Sequence, residues 1–132
     1  MSTEPSIFTR IINREIPAEI IYEDSYCIVI PDKFPSMPGQ LLVIPKVQIA
    51  YLADLDEATY QHIMAVVKRC MTALDLALGT NRTCIIVEGF EVPHVHVRLY
   101  PCLTAELLLD SRKEASDADL AVLAASLRPH LS

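Results

Sequence analysis

The pattern of apolar and polar positions is sharpest at residues 93–101, Pro-His-Val-His-Val-Arg-Leu-Tyr-Pro. Strict alternation over this length predicts a half-buried strand. Val95, Val97 and Leu99 then face a core, and His94, His96, Arg98 and Tyr100 share the other face. Residues 20–23, 26–30, 40–45 and 83–88 are also strand-like, and Asp24-Ser25 is short enough for a tight hairpin between the first two. The nearly all-apolar run at 40–45 reads as a central strand, and three prolines and a glycine within 31–39 mark the loop before it. Ile63, Val67, Cys70, Leu74 and Leu78 recur at spacings of three and four, one stripe of a long helix. Asp54 is the expected cap, with Glu57 completing a capping box, and Gly79 ends the helix. A short apolar segment at 7–12 predicts a turn or two of helix, and Ser116-Asp117 opens a C-terminal one carrying Leu120, Leu123, Ala124 and Leu127. The order is short helix, three strands, long helix, two strands, helix, and the short links favour antiparallel pairing.

Composition narrows the classes. The chain has 132 residues and 52% hydrophobic content, enough for one domain with a real core. No apolar run approaches the roughly 20 residues of a membrane span, and Met1-Ser2-Thr3-Glu4-Pro5 does not read as a secretory leader, so the expectation is a cytoplasmic protein that does not enter a membrane. Cys27, Cys70, Cys84 and Cys102 are widely spaced, without a C-x-x-C pair, and read as reduced core residues. A net charge of −6 with scattered basic residues argues against nucleic-acid binding, but leaves room for a small anion in a locally positive pocket.

Three readings compete for the histidine strand. Histidines beside a sheet can be ordinary hydrogen-bonded residues, but two at i and i+2 followed by Arg at i+4 are a poor core and a poor surface. A zinc site could use His94 and His96, but Arg98 would repel the ion, and Cys102 is six residues beyond His96. Phosphoryl chemistry suits the set better. A neutral imidazole is a good nucleophile at phosphorus, and a guanidinium binds phosphate oxygens in pairs.

The segment His94-Val95-His96-Val97-Arg98-Leu99-Tyr100 resembles the histidine-triad (HIT) motif, His-φ-His-φ-His-φ-φ, with Arg98 in place of the third histidine. Residues 8–18, Tyr22-Glu23-Asp24 and residues 38–46 resemble the family's preceding blocks in order, so the likeness covers about 7–101, with residues 103–132 as a C-terminal extension. The resemblance implies an α+β fold, a HIT-like antiparallel five-stranded sheet packed on a long helix. It implies a homodimer that binds a purine nucleotide or nucleoside-phosphate conjugate. The implied activity is a nucleotide hydrolase, phosphoramidase or nucleotidyl transferase working through a nucleotidyl-histidine intermediate and needing no cofactor. His96 maps to the nucleophile, with His94 hydrogen-bonding phosphate and Arg98 neutralising it. Asp32 maps to the ribose-binding carboxylate, which can accept bonds from two neighbouring hydroxyls. Phe8, Ile11 and Ile30 would lie against the base.

The departures from the family pattern keep a second function open, a nucleotide-binding module with little turnover. Arg98 stays charged and cannot act as a general acid, although a galactose-1-phosphate uridylyltransferase-type branch carries Gln there. Val87 replaces a frequent Asn, and the family's Gly-Gln-Ser/Thr phosphate segment is missing from the short loop 88–92, where Glu91 would repel phosphate. Gln40 stands at a frequent His position, predicting an altered contact to the histidines. Ser6, Thr9 and Gln48 stand where zinc-binding members carry Cys, Cys and His, so no structural zinc is expected.

Overall fold

The computed structural model describes residues 4–106, 109 and 111–131. Its elements follow the expected order: α1 (Ile7–Ile12), β1 (Tyr22–Glu23), β2 (Cys27–Pro31), β3 (Leu41–Pro45), α2 (Glu57–Leu78), β4 (Arg82–Ile86), β5 (Val97–Cys102) and α3 (Asp117–Leu127). The five strands form one sheet in the order β1-β2-β3-β5-β4, every neighbouring pair antiparallel. β3 is the middle strand, which explains why it is apolar on both faces.

The two faces are covered differently. Cys27 and Val29 of β2, Leu41 and Val43 of β3, and Val97 and Leu99 of β5 point toward α2, where they pack on Ile63, Val66, Val67, Cys70 and Leu74. Ala124 and Leu127 of α3 join the same core. On the opposite face Ile28, Ile30, Leu42 and Ile44 meet Phe8 and Ile11 of α1. Burying each of these large side chains is worth about 1.5–3 kcal/mol, so two turns of helix that would be unstable alone are held by the sheet. Ser6 caps α1, its Oγ accepting from Thr9 N at 3.0 Å.

Two local expectations are corrected. The long helix is capped at Asp56, whose side chain makes no capping bond, and not at Asp54. Residues 52–54 instead form a separate 3₁₀ turn, and extended backbone at Leu55 divides the two as that side chain turns into the core. The histidine strand begins at Val97, not Pro93. Its ladder with β3 stops at the Val43–Val97 pair, and beyond it residues 94–96 are held by other bonds. The rest follows expectation: Gly79 ends α2 in the left-handed conformation, Ser116 caps α3, and all four cysteines are free, with Cys27, Cys70 and Cys102 buried. Among the described residues, no helix is long and apolar enough to cross a membrane.

The C-terminal segment takes part in the fold beyond its helix. Lys113 N donates to Pro35 O at 3.2 Å, Ala115 N to Lys33 O at 2.8 Å, and Arg112 Nε to Phe34 O at 3.1 Å. Residues 112–115 therefore lie along the 33–35 loop, and Arg112 reaches the groove on the face opposite α2.

Candidate functional site

The segment before β5 is fixed residue by residue. Val95 N donates to Ile49 O at 2.8 Å, and His94 N to Val92 O at 2.8 Å. His94 Nε2 lies 2.8 Å from Pro45 O. A carbonyl only accepts, so Nε2 carries the ring proton, and Nδ1 of the neutral ring accepts from Ser6 Oγ at 2.6 Å. His96 Nδ1 lies 2.7 Å from His94 O, and by the same argument its proton is on Nδ1. Among the described residues nothing bonds to His96 Nε2, although the ring is buried at 2% exposure. Phe8 packs against both rings, edge-on to His94 at 5.8 Å between centroids and tilted on His96 at 4.8 Å.

Burial lowers the pKa of both histidines. At His94 the charge of a protonated His96 adds to it, and the bond to the Pro45 carbonyl opposes it. At His96 the His94 carbonyl pulls upward, the Arg98 charge pushes further down, and Glu88 and Asp32 counter weakly. Both rings are therefore neutral at neutral pH, the form in which imidazole attacks an electrophile.

This geometry corrects the expected row of three. His94 is fully buried with both ring nitrogens engaged by the protein, so it has no nitrogen to offer a phosphate. Arg98 does face the open side. It pairs in register with Leu42 and Ile86 and lines a groove of about 650 Å³ together with Phe8, Ile11, Ile30, Asp32 and Leu42. Its Nε is buried and, among the described residues, has no hydrogen-bond partner, an uncommon state for a buried charged donor. His96 lines a second, smaller cavity of about 350 Å³ with Tyr51, Leu52, Tyr60, Glu57 and Glu88. Phe8 stands between that ring and the groove.

Asp32 reaches the groove from the end of β2 while ordering its own loop. One carboxylate oxygen accepts from Phe34 N at 2.9 Å and the other from Gln40 Nε2 at 2.6 Å. A carboxylate has about four acceptor sites, so two bonds leave capacity for a ligand. Gln40 is buried beneath it, its Oε1 accepting from Ser36 N at 2.9 Å. Gln40, expected to have an altered contact to the histidines and to serve the nucleotide, bonds Asp32 and Ser36 N instead of either ring.

Sequence reasoning missed three features. The first is the set Ser6, Thr9 and Gln48 around His94: Gln48 Oε1 accepts from Ser6 N at 2.8 Å and Thr9 Oγ1 at 2.6 Å, and Gln48 Nε2 donates to Glu4 O at 2.8 Å. Zinc takes thiolate, imidazole or carboxylate ligands, and of these four side chains only His94 is of that kind, with both its nitrogens occupied. The set does not fit a structural zinc. The second is Arg112, brought to the groove by the tail and 3.8 Å from Glu91, where it offsets the carboxylate that would repel phosphate. Its distance in sequence hid it. The third is Asp24 with His62 at 2.6 Å, Tyr26 stacking on that ring at 4.4 Å between centroids.

The fold and motif meet in known proteins. A model of the HIT domain matches residues 13–101. The chain belongs to the HIT family. A HIT-like protein of Synechocystis is 36% identical over 103 residues, covering 73% of this chain and 89% of that one. A hypothetical histidine triad nucleotide-binding protein from Sulfolobus tokodaii superposes with a TM-score of 0.84 at 27% identity, over 94% of this chain and 90% of that one. A zinc-bound histidine triad family protein from Mycobacterium smegmatis gives 0.78 at 27% identity, over 93% of each chain. In this HIT protein the motif is His94-Val95-His96-Val97-Arg98, and its first histidine is structural.

Proposed function

We propose that the protein is a nucleotide hydrolase or nucleotidyl transferase with His96 as nucleophile. The observation that carries this reading is Arg98 on the wall of a groove whose other walls suit a nucleoside. Phe8, Ile11 and Ile30 offer an apolar bed for a purine, and Asp32 offers acceptors for the ribose hydroxyls. The nucleotide-binding description of the S. tokodaii protein agrees with this use of the groove.

The chemistry follows from the tautomers. His96 Nε2 donates its lone pair to the α-phosphorus, and the bond to the leaving group breaks with its electron pair. The Nδ1–H to His94 O bond stabilises the cationic ring as the N–P bond forms. Arg98 balances the non-bridging oxygens but supplies no proton, so a basic leaving group takes its proton from water. Water then cleaves the N–P bond, releasing the nucleoside monophosphate and restoring neutral His96. A second nucleophile in place of water gives transfer.

A binding module with little turnover is the other reading. It is favoured by the packing of Phe8 on His96, with ring centroids 4.8 Å apart, and by the lack of a proton donor at position 98. Incubation with adenosine phosphoramidate or a dinucleoside polyphosphate separates the two. Product, together with a nucleotidyl adduct mapped to His96 by mass spectrometry, is expected. Bound nucleotide with neither product nor adduct establishes the binding module. We also take the working form to be a cytoplasmic homodimer, with β4 as a free sheet edge and Ile85 exposed on it.

A further inference from the structure

The set around His94 has a mechanical consequence. Ser6 is at once the N-cap of α1 and the hydrogen-bond donor to His94 Nδ1. Gln48, three residues beyond β3, receives Ser6 N and Thr9 Oγ1 on one oxygen. His94 Nε2–H closes onto Pro45 O, the last residue of β3. The start of α1, the exit of β3 and the approach to β5 are thus joined through one imidazole.

Each donor and acceptor in this set has one consistent assignment. Pro45 O fixes the proton on His94 Nε2, so Nδ1 must accept and Ser6 must donate. Ser6 Oγ then uses a lone pair for Thr9 N, and Thr9 Oγ1 gives its proton to Gln48 Oε1. The same His94 residue presents its backbone carbonyl to His96 Nδ1 at 2.7 Å. Phe8, two residues into the helix that Ser6 caps, lies on the His96 ring.

We infer that Ser6 is a positioning residue for His96: its hydroxyl, with Thr9 and Gln48, replaces a metal at this junction and holds His94 so that the His94 carbonyl keeps the reactive lone pair on His96 Nε2. This rests on the reading of His96 as nucleophile and adds what orients it. Ser6 touches no reacting atom and acts through His94. The metal-free junction differs physically from a zinc one. Its four side chains are neutral, so nothing in it requires a thiolate, and chelators have nothing to remove.

The test uses the full chain and three variants. Ser6→Gly keeps an acceptable helix cap, since Gly is tolerated at that position nearly as well as Ser, yet removes the hydroxyl. Ser6→Thr keeps both cap and hydroxyl. Ser6→Ala removes both, and comparison with Ser6→Gly separates the cap from the hydroxyl. The first readout is ¹⁵N NMR of the histidine rings without substrate. In the unmodified protein His94 is expected as the Nε2–H tautomer and His96 as the Nδ1–H tautomer.

Ser6→Gly is expected to leave His94 as the Nε2–H tautomer that Pro45 O fixes, to shift its Nδ1 resonance as the hydroxyl donor is lost, and to replace the single Nδ1–H signature of His96 with a mixture as the His94 carbonyl loosens, with Ser6→Thr restoring both resonances. The second readout is the rate of nucleotidyl adduct formation from adenosine phosphoramidate. It should fall about tenfold or more in Ser6→Gly, with nucleotide affinity changed less than about twofold because the groove is intact, and it should recover in Ser6→Thr. An unchanged His96 signature in a folded Ser6→Gly overturns the inference, as does loss of affinity in step with rate. If the unmodified protein forms no adduct, the nucleophile reading fails, and the tautomer measurement still decides the role of Ser6.

Discussion

His96 and Arg98 differ in how far a substitution at each can be read. His96→Asn should abolish the nucleotidyl adduct while leaving nucleotide affinity within a few-fold, measured by mass spectrometry and calorimetry. Arg98→His restores a group that can give up a proton. It is expected to raise turnover of amine-leaving substrates such as adenosine phosphoramidate, by a factor within the roughly 10²–10⁴ typical of general acid catalysis, and an unchanged or lower rate would count against Arg98 as the reason such substrates turn over slowly. The same site has a defined pH response. Burial and the Arg98 charge lower the His96 pKa, so the nucleophilic form persists to below the ordinary value near 6.5. Adduct formation at saturating nucleotide should stay flat from pH 8 down to about 6.5 and decline only below it. His94 illustrates the limit of reading at this scale. Its residue type and spacing are those of a ligand-binding histidine, and only its partners, Ser6 and Pro45, reveal that it is structural.

Elements place these residues, and the loop between β2 and β3 is where one backbone requirement controls the site. Gly39 has φ +87, and a Cβ there would stand 2.4 Å from Leu78 Cδ1 and 3.1 Å from Pro101 Cγ. Gly39→Ala therefore meets both a disfavoured conformation and a crowded space, and should destabilise the fold by about 1–3 kcal/mol in urea melts. Because Gln40 and Asp32 are bonded across the same loop, nucleotide affinity should fall with it, measured by calorimetry under conditions where the variant is folded. The strand containing the motif was legible in its alternation from Val97 onward, where Leu99 faces the helix and Arg98 the groove. Its first residues were not. Alternation assigns faces only where a ladder continues, and here the ladder yields to bonds from the His94 ring to the last residue of β3 and from Val95 N to the segment after it.

For the molecule as a whole, acid stability combines the buried histidines with a remote carboxylate. His94 and His96 are held neutral, their pKa values below those of the unfolded chain. The unfolded state then binds more protons, so stability declines as pH falls through about 6.5. Asp24 adds a second stage. Burial alone would raise its carboxyl, but bonds from His62, Tyr26 N, Tyr22 and Cys27 N outweigh this and hold it well below the usual carboxylate range. Its stabilisation is present above the unfolded value near 3.9 and is lost as pH falls below it. Chemical denaturation at stepped pH should show a first decline starting near 6.5 and a steeper one below about 4, and Asp24→Asn should remove part of the second.

The sequence by itself determined the order of elements, antiparallel pairing, β3 as the middle strand and α2 as the cover, because these depend on periodicity and short connections, and the likeness of residues 94–100 to the HIT motif added the family. It also named Phe8, Ile11, Ile30, Asp32 and Arg98, which line one groove. Only the tertiary structure decided which of the two buried histidines has both nitrogens bonded by the protein, that Arg112 joins the groove, and that Ser6, Thr9 and Gln48 close around His94. The reason is range. Element patterns are written in neighbours a few positions apart, whereas the direction of a hydrogen bond between Ser6 and His94, 88 positions distant, exists only once α1, β3 and β5 have packed together.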